Sequence, residues 1–213
     1  MKLILVAFML TLVGIFSAPD YAQDGLAVPP HDPVDGLSQA EWSRVWWQWA
    51  GSFDIEESPI ADQTGKFCGR KQSGEVWFLA GTYGTHRTVR TCKVPHGKYI
   101  FFPLINYVVM PPLNRNVSCG AVTGSAASMT NAPSALILDI DGIRMKNLNL
   151  YRQATTQCFD MGALAESKAH VFPSAANGYY VMLKPLSPGK HVLNFGGVLP
   201  SMMQAVTYTL FVE

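Results

Sequence analysis

Two apolar segments of strand length, close together in the chain, most constrain the fold of this protein. Residues 76–80 (VWFLA) form an unbroken apolar run that ends at Gly81, and residues 99–105 (YIFFPLI) form a second one. Runs of this length, rich in aromatic and β-branched side chains, are typical of strands that are buried on both faces. Between them, a Thr/Arg/Val stretch leads to Cys92 and to a turn at residues 95–97. The sequence therefore predicts a sheet core around residues 75–106.

The rest of the chain continues this pattern of short strands separated by turns. Further strands are predicted at residues 135–140, 179–183, 190–195 and 206–212, with a two-residue type I′ hairpin at Asp141-Gly142. Residues 111–133, rich in Gly, Ser, Ala and Asn, are predicted to form a long loop. The chain is 48% hydrophobic and 15% charged, with 18 Gly and 14 Pro, which is typical of turn-rich β proteins. The predicted fold is mainly β: an antiparallel β-sandwich, either Ig-like or jelly-roll-like.

The N-terminus predicts export. Met1 and Lys2 precede an apolar run at residues 3–16 that is too short to span a membrane, as in a secretory signal peptide. Cleavage is expected after Ala22, so residues 1–22 form the signal peptide, 23–36 a linker and 37–213 a single domain. No later apolar segment has the length of a span. We expect a secreted or periplasmic protein without a membrane span after cleavage.

The cysteines predict a disulfide framework. There are four, Cys68, Cys92, Cys119 and Cys158, and in an oxidising compartment an even number favours two disulfides and no free thiol. Of the three connectivities, we favour Cys68–Cys92 with Cys119–Cys158, because sequential pairing closes short loops. Each bridge is expected to contribute roughly 3–4 kcal/mol in the chain-entropy model. A zinc site is the alternative, but the chain has no C-x-x-C spacing and its histidines are scattered. We expect neither a metal nor another cofactor.

One helix is predicted at the start of the domain. Residues 38–41 (SQAE) form a capping box. An apolar stripe at helical spacing follows: Trp42, Val45, Trp46, Trp49 and Phe53. We interpret the stripe as packing on the outside of the sheet, which places one Trp-rich N-terminal helix against the sandwich. Trp47 lies off the stripe and is a candidate for stacking on a sugar or another flat ligand, with packing as the alternative.

The turn after the first predicted strand is the candidate binding site. In residues 81–87 (GTYGTHR), Tyr83, His86 and Arg87 supply a stacking ring, a titratable group and a fixed cation. Loops on a rigid scaffold commonly carry function. The alternative interpretation is an ordinary hairpin loop in which Arg87 pairs with the acidic segment at residues 24–62.

Motifs of known enzyme classes are absent from the sequence. It contains no G-x-S-x-G, no H-E-x-x-H and no phosphate-binding Gly-rich loop. Asp139 and Asp141 have the spacing of paired catalytic carboxylates, but the predicted turn already explains Asp141. The net charge of +1 gives no indication of nucleic-acid binding.

Several short motifs together resemble a family of exported bacterial proteins to which no activity is assigned. They are VWFLAG at residues 76–81, C-x-V-P-x-G-K at 92–98, GYY at 178–180, LSPGKH at 186–191 and FGG at 195–197. The likeness covers roughly residues 40–213. It implies a secreted, β-rich protein and implies no catalytic residue.

These observations lead to one expected function and one alternative. We expect an exported, non-enzymatic module that binds a carbohydrate or a small anionic ligand, or that has a structural role in the cell envelope. The alternative is a secreted hydrolase or lyase whose site is assembled from loops around residues 83–87. A pocket in which His, carboxylate and Arg side chains converge would favour the enzyme.

Overall fold

A computed structural model describes residues 25–83, 87–112, 115–164 and 170–213; the predicted signal peptide lies outside them. In these residues the α-helices and strands are, in chain order, α1 Gln39–Gly51, β1 Val76–Phe78, β2 Thr88–Val94, β3 Tyr99–Val109, α2 Cys119–Met129, β4 Ala135–Ile140, β5 Ile143–Arg144, β6 Arg152–Ala154, β7 Ala175–Leu183, β8 Gly189–Leu199 and β9 Met202–Val212. Two short 3-10 helices lie at Ile55–Glu57 and Leu148–Tyr151. No described helix is long and apolar enough to cross a membrane.

The strands form two mixed sheets, which confirms that the protein is mainly β. The first sheet has the order β1-β3-β7-β6 and the second has the order β2-β9-β8-β4-β5. The prediction that pairing is antiparallel throughout is wrong, because β1 runs parallel to β3 and β2 runs parallel to β9. After β1 the chain crosses to the second sheet as β2 and then returns as β3. This excursion lets β3 run in the same direction as β1.

Both sheets contribute side chains to one core. In β7, which is buried along its whole length, Tyr179, Val181 and Leu183 face this shared core. The residues between them face the opposite side of the strand, as the two-residue period of a strand requires. Phe102 of β3 and Phe195 of β8 join the two sheets directly, with ring centroids 4.6 Å apart.

Helix α1 covers the other face of the first sheet, as its apolar stripe predicts. The Ser38 hydroxyl accepts a hydrogen bond from the Glu41 amide at 3.2 Å and begins the helix. Trp42, Trp46 and Trp49 are buried against Tyr180 and other residues of the first sheet. The helix is therefore held to the sheet by an aromatic interface.

A second helix lies where the sequence predicts a long loop. Ser118 caps α2 by accepting a hydrogen bond from the Ala121 amide at 3.2 Å. Cys119 ties its first residue to Cys158, and Val122 and Ala126 are buried. The loop prediction for residues 111–133 fails because this Gly- and Ala-rich segment has no apolar stripe. Tertiary anchors stabilise the helix instead of an amphipathic pattern.

The two disulfides of the structure are the sequential ones, Cys68–Cys92 and Cys119–Cys158, and no cysteine is free. In the segment interpreted as a linker, residues 26–28 pair with the C-terminal end of β7. The Val28 amide donates to the Met182 carbonyl oxygen at 2.8 Å, and the Lys184 amide donates to the Leu26 carbonyl oxygen at 2.8 Å. The described part of the predicted linker is therefore attached to the domain by backbone hydrogen bonds. Its apolar run at residues 26–28 is only three residues long and is followed by two prolines, so the sequence pattern does not predict a strand there.

The outer face of the second sheet differs from that of the first, on which α1 packs. It carries large apolar side chains that are about half exposed, among them Val89, Ile137, Met203 and Phe211. A solvent-facing sheet surface is usually polar. These exposed apolar side chains make this face a place to look for a binding site.

Candidate binding sites

The structure places the residues of the predicted site on different surfaces. Tyr83 lines a cavity beside the C-terminal end of α1, whereas Arg87 lines a groove on the outer face of the second sheet. His86 lies outside the described residues. Trp47 lines neither of the two: its indole N–H donates to the Tyr180 hydroxyl at 2.9 Å, and its ring meets Trp46 edge-on. The fold therefore holds Trp47 in the interface between α1 and β7.

The cavity at Tyr83 is apolar. Its volume is about 360 Å³, and its walls include Phe53, Ile55, Met110 and Met161. Tyr83, 65% exposed, is the one titratable residue among the described residues that line it. General acid–base catalysis needs a partner that gains or loses a proton near the reaction pH, and this lining does not provide one.

The groove on the second sheet, which we call the sheet groove, is built from alternate residues of β4, β8 and β9. Register aligns its outward-facing residues in three rows: Thr207 with Asn194; Ala205 with Gly196 and Ile137; Met203 with Val198 and Ala135. Its volume is about 280 Å³, close to the lower end of the range for small-molecule pockets. The groove exists because the middle row contains two small residues, Gly196 and Ala205, beside the larger Ile137, and the next row contains the larger Met203.

Two adjacent glycines shape the floor of the sheet groove. A Cβ atom at Gly196 would lie 2.2 Å from the Gln204 carbonyl oxygen on β9, and one at Gly197 would lie 2.7 Å from Ile105 Cγ2 on the first sheet. The first glycine allows β8 and β9 to approach closely, and the second allows the two sheets to approach. The FGG motif is thus explained by packing, and its two glycines are buried beneath the groove that they line.

The polar end of the sheet groove is a hydrogen-bonded row of Arg87, Thr207 and Asn194. Arg87 Nε and Nη2 donate to Thr207 Oγ1 at 3.1 and 2.9 Å. Because these bonds use the lone pairs of Thr207, its single proton is donated to Asn194 Oδ1, at 2.8 Å. Arg87 Nη1 and Asn194 Nδ2 have no hydrogen-bond partner among the described residues. This end of the groove therefore offers hydrogen-bond donors and one positive charge.

A third, polar cleft separates α1 from residues 155–160. Its volume is about 360 Å³, and Glu41, Arg44 and Gln48 form its helical wall. Asp160 lies opposite, where the hydrogen bond from His170 and then that from the Val171 amide hold the pKa of its carboxyl below the usual value. Charges of both signs thus face one another across this cleft, which gives it no preference for one ligand charge.

His191, Asp141 and Ser187 have the composition of a catalytic triad. His191 Nδ1 lies 2.7 Å from Asp141 Oδ2, and Nε2 lies 3.4 Å from Ser187 Oγ. However, Nε2 is closer, at 2.8 Å, to the Ser187 carbonyl oxygen, which can only accept a hydrogen bond. Both ring nitrogens therefore face acceptors, and the ring satisfies both only when it is protonated.

A protonated His191 cannot act as the general base of a serine nucleophile, because Nε2 has no lone pair to accept the hydroxyl proton. Burial lowers the pKa of His191, but the Asp141 hydrogen bond, the Ser187 carbonyl and the Asp141 charge outweigh it, so the pKa lies above its ordinary value of 6.5. The cluster is thus a structural clamp between the Asp141-Gly142 hairpin and the start of β8.

The clamp predicts a pH-dependent contribution to stability. Because the folded-state pKa of His191 is raised, the contribution is fully present below about pH 6.5 and disappears as the pH rises through the folded-state value. His191→Gln is expected to reduce the unfolding free energy by up to about 1 kcal/mol at pH 5.5, and by less at pH 9. Urea unfolding of both proteins at the two pH values measures this. A double-mutant cycle with Asp141→Asn is the control, and a coupling energy that is equal at both pH values would contradict the clamp.

Comparisons of the chain with protein-family models, with curated proteins and with solved structures give no match. The site must therefore be evaluated from its own geometry. Among the described residues, no group of three or more His, Cys, Asp and Glu side chains is arranged to hold a metal ion.

Sequence reasoning identified Arg87 but missed Asn194, Thr207 and the small residues of the sheet groove. The predicted alternation of β9 placed Tyr208 and Leu210 on one face, which implies that Thr207 and Ala205 lie on the other. The alternation of β9 in the sequence could therefore have indicated that Thr207 and Ala205 share a face. The sequence does not reveal the pairing of β9 with β8, which brings Asn194 beside Thr207.

Proposed function

We propose that this protein is an exported, non-enzymatic β-sandwich module that binds a small ligand in the sheet groove. The observation that carries the proposal is the layout of the groove, in which a donor-rich polar end is followed by two rows of small and apolar residues on an uncovered sheet face. The two disulfides and the likeness to exported proteins support a place outside the cytoplasm.

The residues that line the sheet groove and the cavity at Tyr83 favour ligand binding over catalysis. The described residues that line the sheet groove include no carboxylate and no histidine, and Arg87 is their only charged member. The hydrolase or lyase alternative needs groups that exchange protons, and Tyr83 and Arg87 line different cavities. In the clamp, both ring nitrogens of His191 face acceptors, Asp141 Oδ2 and the Ser187 carbonyl oxygen, so Nε2 is not directed at a hydroxyl proton that it could accept. A binding role therefore has the stronger geometric support.

Of the two ligand classes expected from the sequence, the groove favours the anionic one. Carbohydrate sites commonly offer an aromatic ring as a stacking face, but the ring of Phe195 points into the core and contacts Phe102. The polar end instead offers a guanidinium and an amide N–H₂ group. Arginine is well suited to bind anionic groups in this way.

A groove-filling substitution tests the proposal. Ala205→Phe places a ring over Gly196 in the middle row, and Val89→Phe places the same ring on the same sheet face, beside Thr207 but not among the residues that line the groove. A panel of small anions and sugars is screened by thermal unfolding. A ligand at 100 times its Kd is expected to stabilise the wild type by about 2.7 kcal/mol, or roughly 5–10 °C in Tm.

The expected result is that Ala205→Phe removes this shift and Val89→Phe retains it. If both variants keep the shift of every ligand that stabilises the wild type, the groove is not the site. If the wild type consumes the ligand, as shown by chromatography of the mixture over time, the non-enzymatic assignment is wrong.

A further inference from the structure

We infer that the ligand of the sheet groove is a small apolar carboxylate, whose carboxylate is bound at the Arg87 end and whose body lies along the two apolar rows. This inference rests on the proposed function and names the ligand class for that site. It follows from three features: the donors at one end, the charges around them and the length of the apolar rows.

The first feature is the set of donors. Thr207 holds Arg87 through Nε and Nη2, which fixes the guanidinium above the first row of the groove. Nη1 and Asn194 Nδ2 have no hydrogen-bond partner among the described residues, and both can only donate. A carboxylate only accepts hydrogen bonds and has two oxygens to share between such donors. An ammonium group would place donor against donor and charge against like charge.

The second feature is the absence of a competing anion among the residues that line the groove. Asp139 lies in the same row as Asn194, but its Oδ1 accepts a hydrogen bond from the Gly142 amide at 3.1 Å, and its Oδ2 lies 3.7 Å from Arg144 Nε. The Asp139 carboxylate therefore interacts with groups of the β4–β5 hairpin and is not directed at the donors of the groove. Lys190, exposed on the same face, adds a further positive charge outside the groove.

The third feature is the apolar length. From Thr207 to Met203 the groove follows four residues of β9, which is about 13 Å at the rise of a strand. Ala205, Gly196 and Ile137 line its middle, and Met203 and Val198 line its far end. A dianion with charges at both ends would lose hydration of one charge against this apolar end. One charged head and one apolar body match the groove.

Calorimetric titration with octanoate and with octylammonium tests the inference, because the two probes share an apolar chain and differ in the sign of the head. Wild-type protein is expected to bind octanoate at least tenfold more tightly than octylammonium. Arg87→Gln is expected to weaken octanoate binding about tenfold, since it removes a charge-assisted contact. Lys190→Gln, which removes a cation from the same face outside the groove, is expected to change it less than twofold. Ala205→Phe is expected to abolish it.

Several outcomes would overturn the inference. Equal binding of both probes, or octanoate binding unchanged by Arg87→Gln, would show that Arg87 does not bind the carboxylate group of the ligand. Failure of octanoate to bind, while another ligand stabilises the wild type and not Ala205→Phe, would refute the ligand class and leave the proposed function intact. Octanoate binding that survives Ala205→Phe would refute the inference, and it would refute the proposed function as well if no other ligand loses its thermal shift in that variant. Sedimentation velocity showing a dimer that Ala205→Phe dissociates, without octanoate binding, would replace the carboxylate by a second copy of the chain.

Discussion

Replacing Trp46 with alanine is expected to lower the free energy of unfolding by about 3–5 kcal/mol. The side chain is 1% exposed and lies at the centre of the α1 interface, with ring contacts to Trp49 and Tyr180. Its indole N–H also donates to the Leu79 carbonyl oxygen at 3.0 Å. The substitution therefore leaves a large cavity and an unpaired buried carbonyl. Guanidinium unfolding followed by far-UV circular dichroism measures the loss.

The neighbouring Trp47 provides the matched control. It is only partly buried, and the Tyr180 hydroxyl that accepts its hydrogen bond also accepts one from Asn106 Nδ2 at 3.1 Å. Trp47→Ala should therefore cost clearly less than Trp46→Ala. Equal losses would contradict the helical phase on which the aromatic interface depends. A fully folded Trp47→Ala protein that has lost ligand binding would instead restore Trp47 as a site residue.

Replacing Arg90 with methionine is expected to cost on the order of 4 kcal/mol. The Arg90 side chain is 1% exposed, and its guanidinium lies over the Tyr208 ring. Its acceptors, at 2.7–3.0 Å, are four backbone carbonyl oxygens and one hydroxyl: those of Ile60, Asp62, Ala80, Gly81 and Tyr208. Methionine fills a similar volume but removes the donor of the Ile60, Asp62 and Gly81 carbonyls, while the Ala80 carbonyl keeps only the Tyr208 hydroxyl at 3.4 Å. The wild type loses the hydration of the Arg90 guanidinium when it folds, and the methionine variant avoids this penalty. That gain offsets only part of the cost of the lost hydrogen bonds.

Arg87→Met is the control for stability, because Arg87 is an exposed arginine three residues earlier in the chain. Its effect should stay within about 0.5 kcal/mol. Arg90→Lys separates charge from geometry: a single ammonium cannot reach both the 60–62 and the 80–81 segments, so it should recover only a small part of the loss. Full recovery by lysine, or a loss below about 1 kcal/mol for methionine, would show that the hydrogen-bond network is not what stabilises this region.

Arg90 also links the fold to the candidate sites. The carbonyls of Ala80 and Gly81 that it binds stand immediately before the turn that carries Tyr83 and leads to Arg87. Residues 60–62, its other contacts, follow Ser58, which lines the cavity at Tyr83. The predicted turn is thus anchored at its first residues from inside the core. Its two described site residues then line different cavities.

The sequence by itself determined what depends on local patterns. The capping box predicted where α1 begins, and the stripe predicted its buried face, although Phe53 lies beyond the last helical residue, Gly51. The Asp-Gly pair predicted a turn whose two residues have φ values of 53° and 85°. A continuous apolar run located β3, a short strand pattern located β7, and alternation with a period of two located β8 and β9. Cysteine spacing favoured the pairing that the structure contains. Each of these depends on neighbours within a few residues or, for the disulfides, on the cost of closing a loop.

Tertiary structure alone decided the rest. α2 has no amphipathic pattern and forms where a cap, a disulfide and burial on the first sheet coincide. The parallel pairs β1–β3 and β2–β9 depend on which sheet each strand joins, which no local period encodes. The sheet groove requires the register that sets Asn194 beside Thr207 and Gly196 beside Ala205. Strand register is set by packing between residues distant in the chain, so the groove becomes visible only in the folded protein.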